Sequence, residues 1–185
     1  MKKAIAIFLL SAACLCAQAQ SEGWAAYMMP GIVHKQLSSY VGPLWRAKLT
    51  LWVAAEAQPE SFDLQASIEP LMDGRFFRIR CLGEIRGMRY EALDELGFDN
   101  ITQTFTHIAY STFGTSFTVT EGTWNDARKT AALKGRTIGP EDKNWTGLRE
   151  TVKFIDREEI IFELYELREG QKEFKSAELL LYKKK

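Results

Sequence analysis

Two imidazoles and one thiol make up most of the nucleophilic or metal-ligating chemistry open to this chain beyond its carboxylates. His34 and His107 are its only histidines, and two of its three cysteines, Cys14 and Cys16, fall within the first twenty residues, leaving Cys81. A zinc site ordinarily takes three or four ligands, and no His, Cys, Asp or Glu cluster has the close spacing of a known metal motif. Serine-hydrolase chemistry would need a Gly-x-Ser-x-Gly turn between strand and helix. The nearest approach, Gly114-Thr115-Ser116-Phe117, lacks the final glycine and sits in a strand-like context. Gly83 and Gly87 match neither the dinucleotide fingerprint nor the phosphate loop, and no helix follows them. Acidic pairs such as Glu158/Glu159 and Glu163/Glu166 read as solvated turn or strand residues. A catalytic role would have to use His34 or His107 as a base beside a partner that the sequence does not locate, so no catalytic residue and no metal site is assigned.

The more suggestive set is aromatic and basic. Phe77, Phe105, Phe117, Phe154, Phe162, Trp52 and Tyr165 are spread over successive strand candidates, while Arg75, Arg78 and Arg80 place cations on one early ribbon. An enclosed space lined by rings, with an Arg, Tyr or His head, suits an amphipathic or acidic small molecule. Trp52, Arg75, Phe77, Phe105, His107 and Tyr165 are the candidate lining residues. His107 has the strand parity of Phe105 and Ala109, which places it either as a hydrogen-bonded core histidine or as a lumen group. His34, four residues before Ser38, is expected to turn towards a buried polar partner. Cys81 shares parity with Phe77 and Ile79 and reads as a small apolar core residue. The plain alternative is that the rings fill the core and the arginines face water, leaving a structural or interaction module, or a homodimer, with no usable cavity.

These side chains need elements to hold them. Residues 1–19 read as a signal peptide: Lys2 and Lys3, an apolar run from Ala4, and Ala17-Gln18-Ala19 as the cleavage site. Cleavage near Ala19 would release the chain to the periplasm or medium. The alternative is lipid attachment at Cys14. Taking Lys2 and Lys3 from the 24 basic residues leaves 22 against 24 acidic ones, a formal charge of −2 with none of the basic field that nucleic acid requires. No later segment has the 18 apolar residues needed to span a bilayer as a helix. Residues 20–29 form a loose leader, and residues 30–185 one domain of a size that buries about two thirds of its unfolded surface.

Ile32, Leu37 and Val41 have helical spacing, and Gly42-Pro43 stops the helix. From Trp45 onward, alternating apolar and polar residues predict ten strands: 45–53, 62–69, 75–83, 88–98, 104–111, 116–123, 129–134, 148–155, 160–167 and 174–183. Short turns join them, among them Asp73-Gly74, Asp99-Asn100, Asn125-Asp126 and Gly139-Pro140. Gly74 and Asn100 are read as positions with positive backbone angles. Hairpins without intervening helices predict an all-β, antiparallel, up-and-down sheet. Closing it into a barrel removes both edges, and the short helix would close one end. A two-sheet sandwich would bury the same face.

The sequence also resembles the bacterial domain-of-unknown-function 1579 family. The similarity rests on Gly31-Ile-Val-His34-Lys-Gln-Leu37 before Gly42-Pro-Leu-Trp45, then Asp73-Gly74-Arg75-Phe76-Phe77, Gly97-Phe98-Asp99-Asn100, Glu121-Gly122-Thr123, and finally Glu178 with Tyr182. The resemblance implies a calycin-like, lipocalin-related barrel and no agreed reaction. His34, Leu37, Gly42, Trp45, Asp73, Gly74, Asp99 and Asn100 all read as architectural within it: Arg75 bracing a carbonyl or carboxylate at the barrel end, and Asp99 capping its turn. Family members tend to have Gly-x-Trp after the helix. The extra residue between Gly42 and Trp45 implies a bulge. Where the family tends to show Trp-x-Asp before a Gly-Thr-Gly-like turn, this chain aligns Ala109 and Ser111, so a ring and a carboxylate are both missing. The distant likeness to barrels that hold haem singles out His34 and His107 as the residues to test, although no cofactor is expected. The function expected is noncovalent binding of a small hydrophobic or amphipathic molecule in the lumen.

Overall fold

The computed structural model describes residues 23–24, 27–138 and 143–183. The expected signal peptide, Cys14 and the expected Gly139-Pro140 turn lie outside the described residues. Among the described residues ten strands follow a short helix: α1 (Ile32–Ser38), β1 (Gly42–Leu51), β2 (Glu60–Leu71), β3 (Phe76–Ile85), β4 (Met88–Asp99), β5 (Thr104–Ser111), β6 (Thr118–Asn125), β7 (Thr130–Ile138), β8 (Trp145–Asp156), β9 (Glu159–Leu167) and β10 (Phe174–Lys183). Each strand pairs antiparallel with its neighbours in sequence, and β1 pairs with β10, so the sheet closes as an up-and-down barrel rather than opening into a sandwich.

Parity assigns the faces. Ala47, Ile79, Phe105, Ala131, Val152 and Leu181 point inward and are buried. Between them stand the outward charges, joined into cross-strand pairs such as Arg78–Glu95 at 2.7 Å, Arg80–Glu91 at 2.8 Å and Lys153–Glu163 at 2.6 Å. Such exposed pairs contribute about 0–1 kcal/mol each, so burial, not charge, holds the wall together. Register slips where the inward row would otherwise lose phase, at Gly42/Trp45, Phe154/Asp156 and Lys175/Ala177. The first is the bulge implied by the extra residue before Trp45.

Alone in water, seven helical residues would not persist. Here α1 buries Val33, His34 and Leu37 across the end of the barrel where the β2–β3, β4–β5, β6–β7 and β8–β9 turns lie. The helix and the residues just before it are tied to three of those turns or their flanks. Arg75 donates to the Met28 and Met72 carbonyls, both at 2.9 Å; Asn100 donates to the Met29 carbonyl at 2.8 Å; Gln36 donates to Asp126 at 2.8 Å. After the helix, Trp45 Nε1 donates to the Tyr40 carbonyl at 2.9 Å, and the Tyr40 ring packs 5.0 Å from Phe154. Asp99 caps its own turn, accepting from Ile101 and Thr102. Gly74 has the expected positive φ of 79°. Asn100 does not: the left-handed residue of that turn is Gln103 at 56°, because Asn100 is held by its bond to the leader and by close approach of its amide to Gly31.

Candidate functional site

Packing divides the lumen in two. Towards the helix, rings fill it: Phe105 stacks on Trp124 with centroids 5.8 Å apart, and Phe154 stands edge-on to both at 6.5 and 5.6 Å. Towards the other end the inward residues are shorter, and a cavity of about 380 Å³ opens between the β5–β6 loop and the β3–β4 turn. That lies within the range of small-molecule sites. Its walls are mainly apolar, including Leu49, Leu51, Leu64, Ile85, Leu164 and Leu179.

Across the inner end of this cavity lies a buried polar cluster. His107 on β5 is the centre: Nδ1 meets Glu150 Oε1 at 2.8 Å and Oε2 at 2.9 Å, and Nε2 meets Asp94 Oδ1 at 3.0 Å. The Thr120 hydroxyl donates to Glu150 Oε2. Strand pairing sets three of the four members side by side, since β5 lies between β4 and β6, while Glu150 reaches from β8 across the barrel. With an acceptor on each ring nitrogen, the arrangement suits an imidazolium donating twice. Burial alone would push His107 down, but the flanking Glu150 and Asp94 carboxyls overcome it and raise the group to about 10. Burial likewise opposes the Glu150 charge, yet His107 and the Thr120 hydroxyl hold that carboxyl below its usual range. Two neighbours feel the cluster: burial first, then Asp94, keeps both the Cys81 thiol and the Tyr90 phenol protonated well beyond their ordinary values.

Of the residues singled out from sequence, His107 lines this cavity. Phe77 and Phe105 point inward but lie in the filled half, each almost wholly buried. Trp52 follows β1 at the rim, with Lys175 Nζ 5.7 Å from its ring. Tyr165 is on the outer face, covered by the Arg149 guanidinium at 3.8 Å. Arg75 belongs to the helix end, beside His34. There His34 Nδ1 accepts from the Gly31 N–H at 3.1 Å, the carbonyls of Arg75 and Phe98 face the ring, and burial lowers its pKa. Both ring nitrogens of His107 and Nδ1 of His34 have hydrogen-bond partners, and among the described residues no group of three or more His, Cys, Asp or Glu could hold a metal ion.

Sequence reasoning missed Asp94, Thr120 and Glu150. The signal was present, since Asp94 shares parity with Ala92 and Leu96, and Glu150 with Leu148 and Val152. A charge on an apolar row implies a buried partner. Ala109 and Ser111, where the family pattern has a ring and a carboxylate, both line the cavity.

A family model described as "Protein of unknown function (DUF1579)" matches residues 29–181. No curated protein matches the chain. Among solved structures the chain is similar to the crystal structure of Rv2717c from M. tuberculosis, at 12% identity and a TM-score of 0.56, over 85% of this chain and 100% of that one. At this identity the likeness extends to the fold alone.

Proposed function

Because the chain belongs to the DUF1579 family, proteins of unknown function, its role must be read from its own barrel, and we propose that it binds a small amphipathic molecule noncovalently in the lumen. The observation that carries this reading is the cavity itself: about 380 Å³, mainly apolar along its walls, charged only at its inner end, and open at the end away from the helix. Each ~100 Å² of ligand apolar surface taken from water would contribute roughly 2.5 kcal/mol, and the polar end would fix orientation. The reading includes export, which rests on the Lys2–Ala19 pattern.

Native mass spectrometry of the purified mature protein, together with melting temperatures measured against apolar amines, alcohols, acids and haem, tests it. Saturable stabilisation by at least one class, lost when the cavity is filled by substitution, is the expected result. A melting temperature unmoved by every class, with no copurifying mass, would overturn the reading.

A further inference from the structure

Resting on that reading, we propose that the lumen selects an occupant with a cationic head, an amphipathic amine rather than a carboxylic acid, and that Asp94 receives the head. The residues lining the cavity include no Lys or Arg. The arginines that could have met an acid lie on the outer wall, where Arg78 and Arg80 are already paired with Glu95 and Glu91. Three ionisable groups form the inner end, two carboxyls and one imidazole, and they are not equally committed. Both Glu150 oxygens are engaged by His107 and Thr120, and both His107 nitrogens by the two carboxyls. Asp94 uses only Oδ1. Among the described residues the one side-chain polar atom both sealed from solvent and unpartnered is Gln36 Oε1, so Asp94 Oδ2, with no protein partner, must open onto the cavity.

A carboxylate oxygen at the end of an apolar channel favours a donor, and most of all a charged one. An ammonium placed there makes a charge-assisted hydrogen bond in a low-dielectric setting and balances the second carboxyl, which a single imidazole leaves without a counter-charge. An acid at the same place would meet two carboxyls and one imidazolium whose two N–H groups those carboxyls already engage, and repulsion of that kind is a source of selectivity. The hydroxyl groups nearer the mouth, on Ser111, Ser116 and Thr118, are neutral and do not reverse the sign.

Calorimetric titration of the wild-type mature protein at pH 7 with n-decylamine, 1-decanol and decanoate separates the possibilities, since the three share a chain and differ in the head. The amine is expected to bind about tenfold or more tightly than the alcohol, with decanoate weakest. In Asp94→Asn the amine should lose about tenfold or more while 1-decanol stays within about twofold. Decanoate binding as well as the amine, or equal amine and alcohol affinities, would overturn the choice of head while leaving the container intact. An unchanged amine affinity in Asp94→Asn would remove Asp94 as its receiver. No binding by any of the three, with an unmoved melting temperature, would instead count against the lumen as a binding site. The ranking on the wild-type protein decides the choice of head even if the variant does not fold.

Discussion

Replacing Glu150 with glutamine removes one charge from the buried cluster and leaves its shape unchanged, which makes the cluster's electrostatics measurable as stability. In the native barrel the His107 pKa stands near 10, against 6.5 as the ordinary value. A folded value raised above the unfolded one gives a contribution fully present below pH 6.5 and lost as pH rises through about 10. Between those limits the native state holds one more proton than the unfolded chain. Wild-type stability should therefore fall by about 1.4 kcal/mol per pH unit, roughly 2 kcal/mol between pH 7 and 8.5. Cys81 and Tyr90 also have raised folded values, so their losses add only as pH nears or passes their ordinary 9.0 and 10.0, above this window. In Glu150→Gln the His107 value drops towards its unfolded one and the slope flattens. Because Asp94 still pairs the ring, the cost at pH 7 should fall below the 3–5 kcal/mol typical of a broken buried pair, at about 2 kcal/mol, which lowers the melting temperature by roughly 4–8 °C. Urea unfolding followed by tryptophan fluorescence at half-unit steps of pH reads both slopes. A wild-type stability that stays flat from pH 7 to 8.5, or an equal slope in the variant, would refute the proton linkage. On the acid side the sign reverses: the depressed Glu150 value gives stability present above its ordinary 4.5 and lost as pH falls through the folded value.

Other perturbations follow from the same geometry. Gly122→Ala would place its Cβ 2.0 Å from the Ala132 carbonyl oxygen, backbone that cannot swing aside, so thermal melts should show a loss of about 3 kcal/mol or more, whereas Gly114→Ala, with nothing closer than 4.0 Å, should be nearly neutral. Arg75→Ala removes the hydrogen bonds to the Met28 and Met72 carbonyls; limited proteolysis should cut the leader faster while urea stability changes by about 1–2 kcal/mol, and an unchanged cleavage rate would argue against Arg75 as the tie. Ala109→Phe fills the cavity beside Asp94, and should abolish ligand-induced stabilisation while far-ultraviolet circular dichroism remains that of the wild type.

Strand parity carried most of the architecture. Trp45, Ala47 and Leu49 alternate with Arg46, Lys48 and Thr50 in the chain as they do across the wall, and turn residues mark nearly every hairpin. The same parity, applied to polar residues, would have moved Tyr165 outward, since it neighbours an inward Leu164 in the preceding position. What no local pattern supplies is the meeting of positions 94, 107 and 150. That depends on how far the closed sheet shears, which decides which inward residues share one level of the lumen. The half-filled, half-open interior depended on the same geometry, because Phe105 and His107 are one pleat apart yet lie on opposite sides of the boundary.

Pairing of Trp45 with Lys183 fixes where the domain can be handled. The chain enters β1 and leaves β10 side by side at the helix-closed end of the barrel, away from the mouth of the cavity. A dye attached at Lys183 would stand at the end of the barrel away from the cavity mouth. Whatever holds the barrel at that paired end presents the opposite, open end outward.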